Sequence, residues 1–65
     1  MGFHKRYINI DTTKEYLNRG DLDELYNADA YFFNDELSYD VYRMYLEELT
    51  DKEIKLKLNN YGKDS

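Results

Sequence analysis

The sequence predicts a small α+β domain: a three-stranded antiparallel sheet with one main helix, residues 38–49, on one face, and short helical turns in 12–28. Three observations predict it. The stretch KEIKLKLNN alternates strictly, with Ile54, Leu56 and Leu58 pointing one way and Glu53, Lys55, Lys57 and Asn59 the other, which is the period of a half-buried strand. KRYINI and AYFFN are two shorter segments of strand character. Between residues 38 and 49 the period changes, and SYDVYRMYLEEL has no Gly or Pro and several good helix formers.

Taken in order, KRYINI places Ile8 and Ile10 on one face of a first strand. TTKEYLNRG, residues 12–20, reads as helical, with Thr12 and Glu15 at capping-box spacing and Gly20 as its stop. Asp21 and Glu24 repeat that spacing, so a second short turn follows; a Tyr-rich hairpin over 12–28 fits as well. AYFFN is an aromatic strand bounded by Asp and Asn. Ser38 caps the main helix, and Asp40 in its first turn suits the helix dipole. KEIKLKLNN supplies the third strand.

A chain of 65 residues makes one domain, 1–65, and such a domain is marginal by itself. Usual supports are disulfides, a structural metal or association. The chain has no cysteine and a single histidine, His4 near the N-terminus, so disulfides and thiolate zinc sites are excluded and a His-based metal site is not expected. Association with a second copy is the expected support, and no cofactor is expected. No apolar run is long enough for a signal peptide or a membrane span. Gly2 does not begin a myristoylation motif, because Arg6 stands where Ser or Thr is required. A cytoplasmic protein is the expectation.

Net charge is −5, from 14 acids and nine bases. The excess lies in residues 20–42, GDLDELYNADAYFFNDELSYDVY, which hold seven carboxylates, six aromatics and no Lys, Arg or His. Such a field repels nucleic acid and attracts a basic surface, or serves as a solvated face kept for solubility. On a wheel of residues 37–49, Leu37, Val41, Met44 and Tyr45 form one arc, which meets the sheet. Tyr39, Tyr42 and Leu46 form a second, adjoining arc. The apolar span is roughly 220°, against about 100° for an ordinary surface helix. Either segment 12–28 folds over the second arc or a protein partner covers it. Acids beside exposed aromatics make a surface that a DNA-binding protein would accept, with carboxylates in place of phosphates and rings in place of bases.

AYFFND leads through Leu37-Ser38 into an aromatic-bearing helix, then an acidic turn, then Ile54-Lys55-Leu56-Lys57-Leu58. In this order and ungapped spacing, over roughly residues 30–60, the chain resembles the small dimeric uracil-DNA glycosylase inhibitors encoded by bacteriophages, which act as DNA mimics. The resemblance implies a homodimer that inhibits the host's uracil-DNA glycosylase without binding DNA or membrane. It implies a pocket that captures the enzyme's minor-groove leucine, with Tyr42 and Leu46 at the family's key helix positions and Tyr39 and Tyr45 beside them. Arg43 stands where the family carries an acid, and residues 11–29 exceed its first hairpin. The phosphate-mimicking acids are therefore reassigned to Asp35, Glu36, Asp40 and Glu47, with Asp21, Asp23, Glu24 and Glu48 as further candidates. The alternative is a small acidic module inhibiting another nucleic-acid-binding protein, such as a nuclease or polymerase subunit. A structural homodimer with no inhibitory role is a third reading. An enzyme is not expected, because no nucleophile, base and metal set converges.

Overall fold

Asn9 and Asp35 decide where the two main helices begin. In the computed structural model, which describes residues 5–63 and side chains as far as Tyr61, the order is β1 (Lys5–Ile8), α1 (Ile10–Arg19), α2 (Leu22–Leu25), β2 (Ala30–Phe33), α3 (Glu36–Leu46) and α4 (Asp51–Lys63). The expectations about Gly2 and His4 lie outside the described residues.

β1 and β2 pair in parallel, with Lys5 opposite Ala30, Arg6 opposite Tyr31, Tyr7 opposite Phe32 and Ile8 opposite Phe33. Parallel strands need a long crossover, and α1 with α2 supplies it. The three-stranded antiparallel sheet is thus overturned: among the described residues there are four helices and a single two-stranded parallel sheet. The third strand is replaced by α4. Thr50 and Glu53 form a reciprocal capping box, Glu53 N donating to Thr50 Oγ1 at 3.2 Å and Thr50 N to Glu53 Oε1 at 3.1 Å. From there Ile54 and Leu58, four residues apart, share a helical face: Ile54 is buried and Leu58 half-buried. Leu56, which a strand would bury beside them, is 59% exposed.

The helices around 12–28 are present, with different caps. α1 starts at Ile10 rather than at a Thr12–Glu15 box, because Asn9 Oδ1 accepts from Thr12 N at 2.9 Å and Asn9 O accepts from the buried Thr13 Oγ1 at 2.9 Å. Ile10 therefore leaves the strand. Gly20 ends α1 in the left-handed region (φ 74°), where Gly20 N reaches Leu17 O and Asp21 N reaches Tyr16 O. The main helix runs 36–46 rather than 38–49. Its cap is Asp35, not Ser38, since Asp35 Oδ1 accepts from Ser38 N at 2.8 Å. Ser38 is buried, its hydroxyl donating to Asp35 O at 3.0 Å. α3 is closed by Glu48 N on Tyr45 O and Leu49 N on Met44 O, with Glu48 left-handed at φ 68°.

The core is Ile8 from β1, Leu17 from α1, Leu22, Leu25 and Tyr26 in and after α2, Val41 and Met44 from α3, and Ile54 from α4. No helix of the described residues is long and apolar enough to cross a membrane.

Candidate functional site: an aromatic layer edged by acids

α2, β2 and α3 bring six rings into one layer. Tyr26, placed just after α2, has ring centroids at 4.8 Å from Tyr45, 5.0 Å from Tyr42 and 5.9 Å from Tyr31. Tyr42 also meets Tyr31 and Phe33, each at 5.2 Å, and Phe33 meets Tyr39 edge-on at 5.5 Å. The alternation of β2 sends Tyr31 and Phe33 to the core side, where α3 presents Tyr42 one turn from Ser38 and Tyr45 one turn from Val41. Ring pairs of these geometries contribute about 0.5–1.5 kcal/mol each beyond their buried area.

The hydroxyls are disposed unequally. Tyr31 donates to the Tyr26 carbonyl, and Tyr45 donates to the carboxylate of Asp23. That bond to Asp23, followed by burial and by the negative charge of Asp23, pushes the Tyr45 phenol up to about 12. The Tyr26 hydroxyl is buried with no hydrogen-bond partner among the described residues. Burial first, then the neighbouring tyrosines, raises its pKa well above the ordinary phenol value.

The four residues expected to form a partner pocket lie along α3 but differ in state. Tyr42 is half-buried by three rings, so it fills the aromatic layer and does not wall an open cavity in the single chain. Segment 12–28 does fold over part of the second arc, because Tyr26 covers Tyr42. Tyr39 and Leu46 stay uncovered, at 47% and 58% exposure. They stand seven residues apart on one side of α3, an apolar stripe at the edge of the layer.

The four expected acids are not brought together. Asp35 accepts Ser38 N on Oδ1 and Ile10 N at 3.0 Å on Oδ2, so both oxygens serve helix caps. Asp40 accepts from Tyr61 Oη at 3.0 Å, a bond that leads the causes raising the Tyr61 phenol. Asp40 and Glu47 line a separate cleft of about 210 Å³ between α3 and α4, with Arg43, Met44, Lys57 and Tyr61. Glu36 is exposed in the first turn of α3. The acid that meets the aromatic layer is Asp23, flanked in the chain by exposed Asp21 and Glu24. Arg19, the nearest base before this segment, lies 3.8 Å from Glu15 and 3.4 Å from Asp21 and stacks over Tyr16 at 4.6 Å.

Sequence reasoning missed Tyr26, Tyr31 and Phe33 as members of the same surface. Their signal was the aromatic richness of residues 20–42, five of whose six rings enter the layer. The chain matches no protein-family model, no curated protein and no solved structure.

Proposed function

We propose that the chain is a small acidic binding module that engages the cationic, nucleic-acid-binding surface of another protein. One observation carries the reading: an exposed apolar pair on α3, Tyr39 and Leu46, borders a layer of rings drawn mostly from residues 20–42, a segment with seven carboxylates and no base, with Arg43 as the one base between the pair. The carboxylates steer a basic partner and accelerate encounter, while desolvated anchors slow dissociation. Tyrosine suits an anchor, with a large ring, few rotamers and a hydroxyl that tolerates water.

Uracil-DNA glycosylase, the target that the resemblance names, is the first such partner to test. The segment Ile54–Leu58 that carried much of the resemblance as a strand is helical. What the resemblance lends to this proposal is therefore α3 with Tyr42 and Leu46. A nuclease or polymerase subunit offers the same cationic groove and belongs in the same assay.

The experiment titrates the chain into uracil excision and into DNA binding by such partners. One partner should lose activity stoichiometrically, while the chain alone shifts no DNA. Tyr39→Ala with Leu46→Ala should weaken that binding by 2 kcal/mol or more, roughly thirtyfold, while the chain stays folded and loses in stability about the 0.5–1.5 kcal/mol of the Tyr39–Phe33 ring contact. High salt should slow association. Full affinity in the folded double variant, or a direct DNA shift by the chain alone, contradicts the proposal.

A further inference from the structure

α1 and α4 carry the same pentapeptide pattern, Lys-x-x-Leu-Asn: Lys14, Leu17 and Asn18 in one, Lys55, Leu58 and Asn59 in the other. In a helix this spacing puts Lys and Asn one turn apart on a common face, with Leu beside them. All six residues line one cleft of about 300 Å³ between the two helices. Leu17 is buried and Leu58 half-buried, forming an apolar floor, and the two lysines and two asparagines are exposed at the rim.

Among the described residues no carboxylate lines this cleft, although the chain has 14 acids to nine bases. Neither Lys14 nor Lys55 has an ion pair among the described residues. The end of α1 adjoins the start of α4, since a Cβ on Gly20 would stand 3.7 Å from Asp51 Oδ2. The helices therefore run back past each other from that junction. Asn18 lies about half a turn and Lys55 about one turn from it, and Lys14 and Asn59 about two. Each end of the cleft then has one ammonium and one amide.

We propose that this cleft binds a small organic anion with a short apolar body and a single carboxylate or phosphate head. The floor removes the apolar body from water. Either end of the rim offers the head group one ammonium as counter-charge and one amide that donates hydrogen bonds. A volume of about 300 Å³ stands at the lower end of small-molecule sites. This site is separate from the aromatic layer and does not depend on the function proposed for it.

The test is an amide-shift titration of the ¹⁵N-labelled full chain with octanoate, phenyl phosphate, octanol and inorganic phosphate. Octanoate or phenyl phosphate should give saturable shifts confined to residues 14–18 and 54–59, and the better of the two identifies the head group. Octanol, with no charge, and inorganic phosphate, with no apolar body, should bind at least about tenfold more weakly. Lys14→Gln with Lys55→Gln should weaken the better anion by at least about tenfold with Tm unchanged, because both side chains are exposed. The proposal is overturned by no saturation up to about 10 mM, by octanol or inorganic phosphate matching the organic anions, by shifts centred elsewhere, or by parental binding in the folded double variant.

Discussion

Both oxygens of Asp35 accept backbone N–H groups that no helix can satisfy from within, Ser38 at the start of α3 and Ile10 at the start of α1. One carboxylate thus fixes two helix starts against each other and against the end of β2. Burial alone would raise its pKa, but hydrogen bonds from the Ser38 side chain, the Ser38 N–H and the Ile10 N–H outweigh it and hold the carboxyl below its ordinary 3.8. A depressed folded pKa means that this contribution to stability is present above 3.8 and is lost as pH falls through the folded value. Asp35→Ala should cost about 2 kcal/mol or more, two caps at about 1 kcal/mol each, read by denaturant unfolding. Between about pH 5 and pH 2, Tm should fall less steeply in Asp35→Asn than in the parent; parallel curves would show that Asp35 does not carry the acid sensitivity. The Tyr26 hydroxyl is the opposite case, buried and without a partner among the described residues. In the unfolded chain it is hydrated, so folding strips water from it without replacement. Tyr26→Phe should therefore raise stability by about 1 kcal/mol, or about 4–8 °C in Tm for a domain of this size. A loss of stability would mean that the hydroxyl has a partner in solution.

The element scale shows why α4 resembled a strand. Ile54 and Leu58 satisfy period 2 and period 3.6 equally, and Leu56 alone separates the two. Burial separates them: Ile54 is fully buried and Leu56 is 59% exposed. If the segment is helical, Ile54→Ala should cost about 2–5 kcal/mol, while Leu56→Lys should stay within about 0.5 kcal/mol, as surface changes do. Comparable losses at both positions would restore the strand. The discriminating signal stood just upstream, since Thr50-x-x-Glu53 is a capping box before an apolar run. Asn9 before Ile10 is a second such signal, and it moves Ile10 from strand to helix. The strands at 5–8 and 30–33, the helix through 38–46, the turn at 22–25 and the stop at Gly20 were legible from local pattern, although Asp21 makes no side-chain cap bond to the turn and Asp35, not Ser38, caps the helix. On the site, the uncovered Tyr39 and Leu46 were legible from the wheel. The burial of Tyr42 was not, because it depends on Tyr26, sixteen residues away, folding back onto α3.

For the whole molecule, the direction of strand pairing was the least legible feature, because it depends on α1 and α2 acting together as one crossover. It also creates the least protected surface. Parallel sheets are ordinarily covered on both faces, and a two-stranded sheet is marginal in water. Here the inner face holds Ile8, Tyr31 and Phe33 against the core, and the outer face presents Tyr7 and Phe32. These two rings are stacked at 5.0 Å and 21° and remain 64% and 42% exposed. A second copy would cover them and supply the association expected of so short a chain without cysteine. The area limits how tightly. Four residues at about 3.3 Å each and two strands at about 4.8 Å give a face of roughly 130 Å², against about 800 Å² per partner in a standard stable interface. Pairing through this face should therefore be reversible and concentration-dependent. Sedimentation should move from 7.9 kDa towards twice that mass as concentration rises through the micromolar range. Tyr7→Ser with Phe32→Ser should hold the chain at 7.9 kDa throughout, folded but less stable by at least the contribution of their stacked pair, about 0.5–1.5 kcal/mol. Constant 7.9 kDa sedimentation in the parent would remove the second copy. Parental association in the double variant would move the contact off the sheet, to the exposed apolar side chains of α3, Tyr39 and Leu46, or of α4, Leu56 and Tyr61.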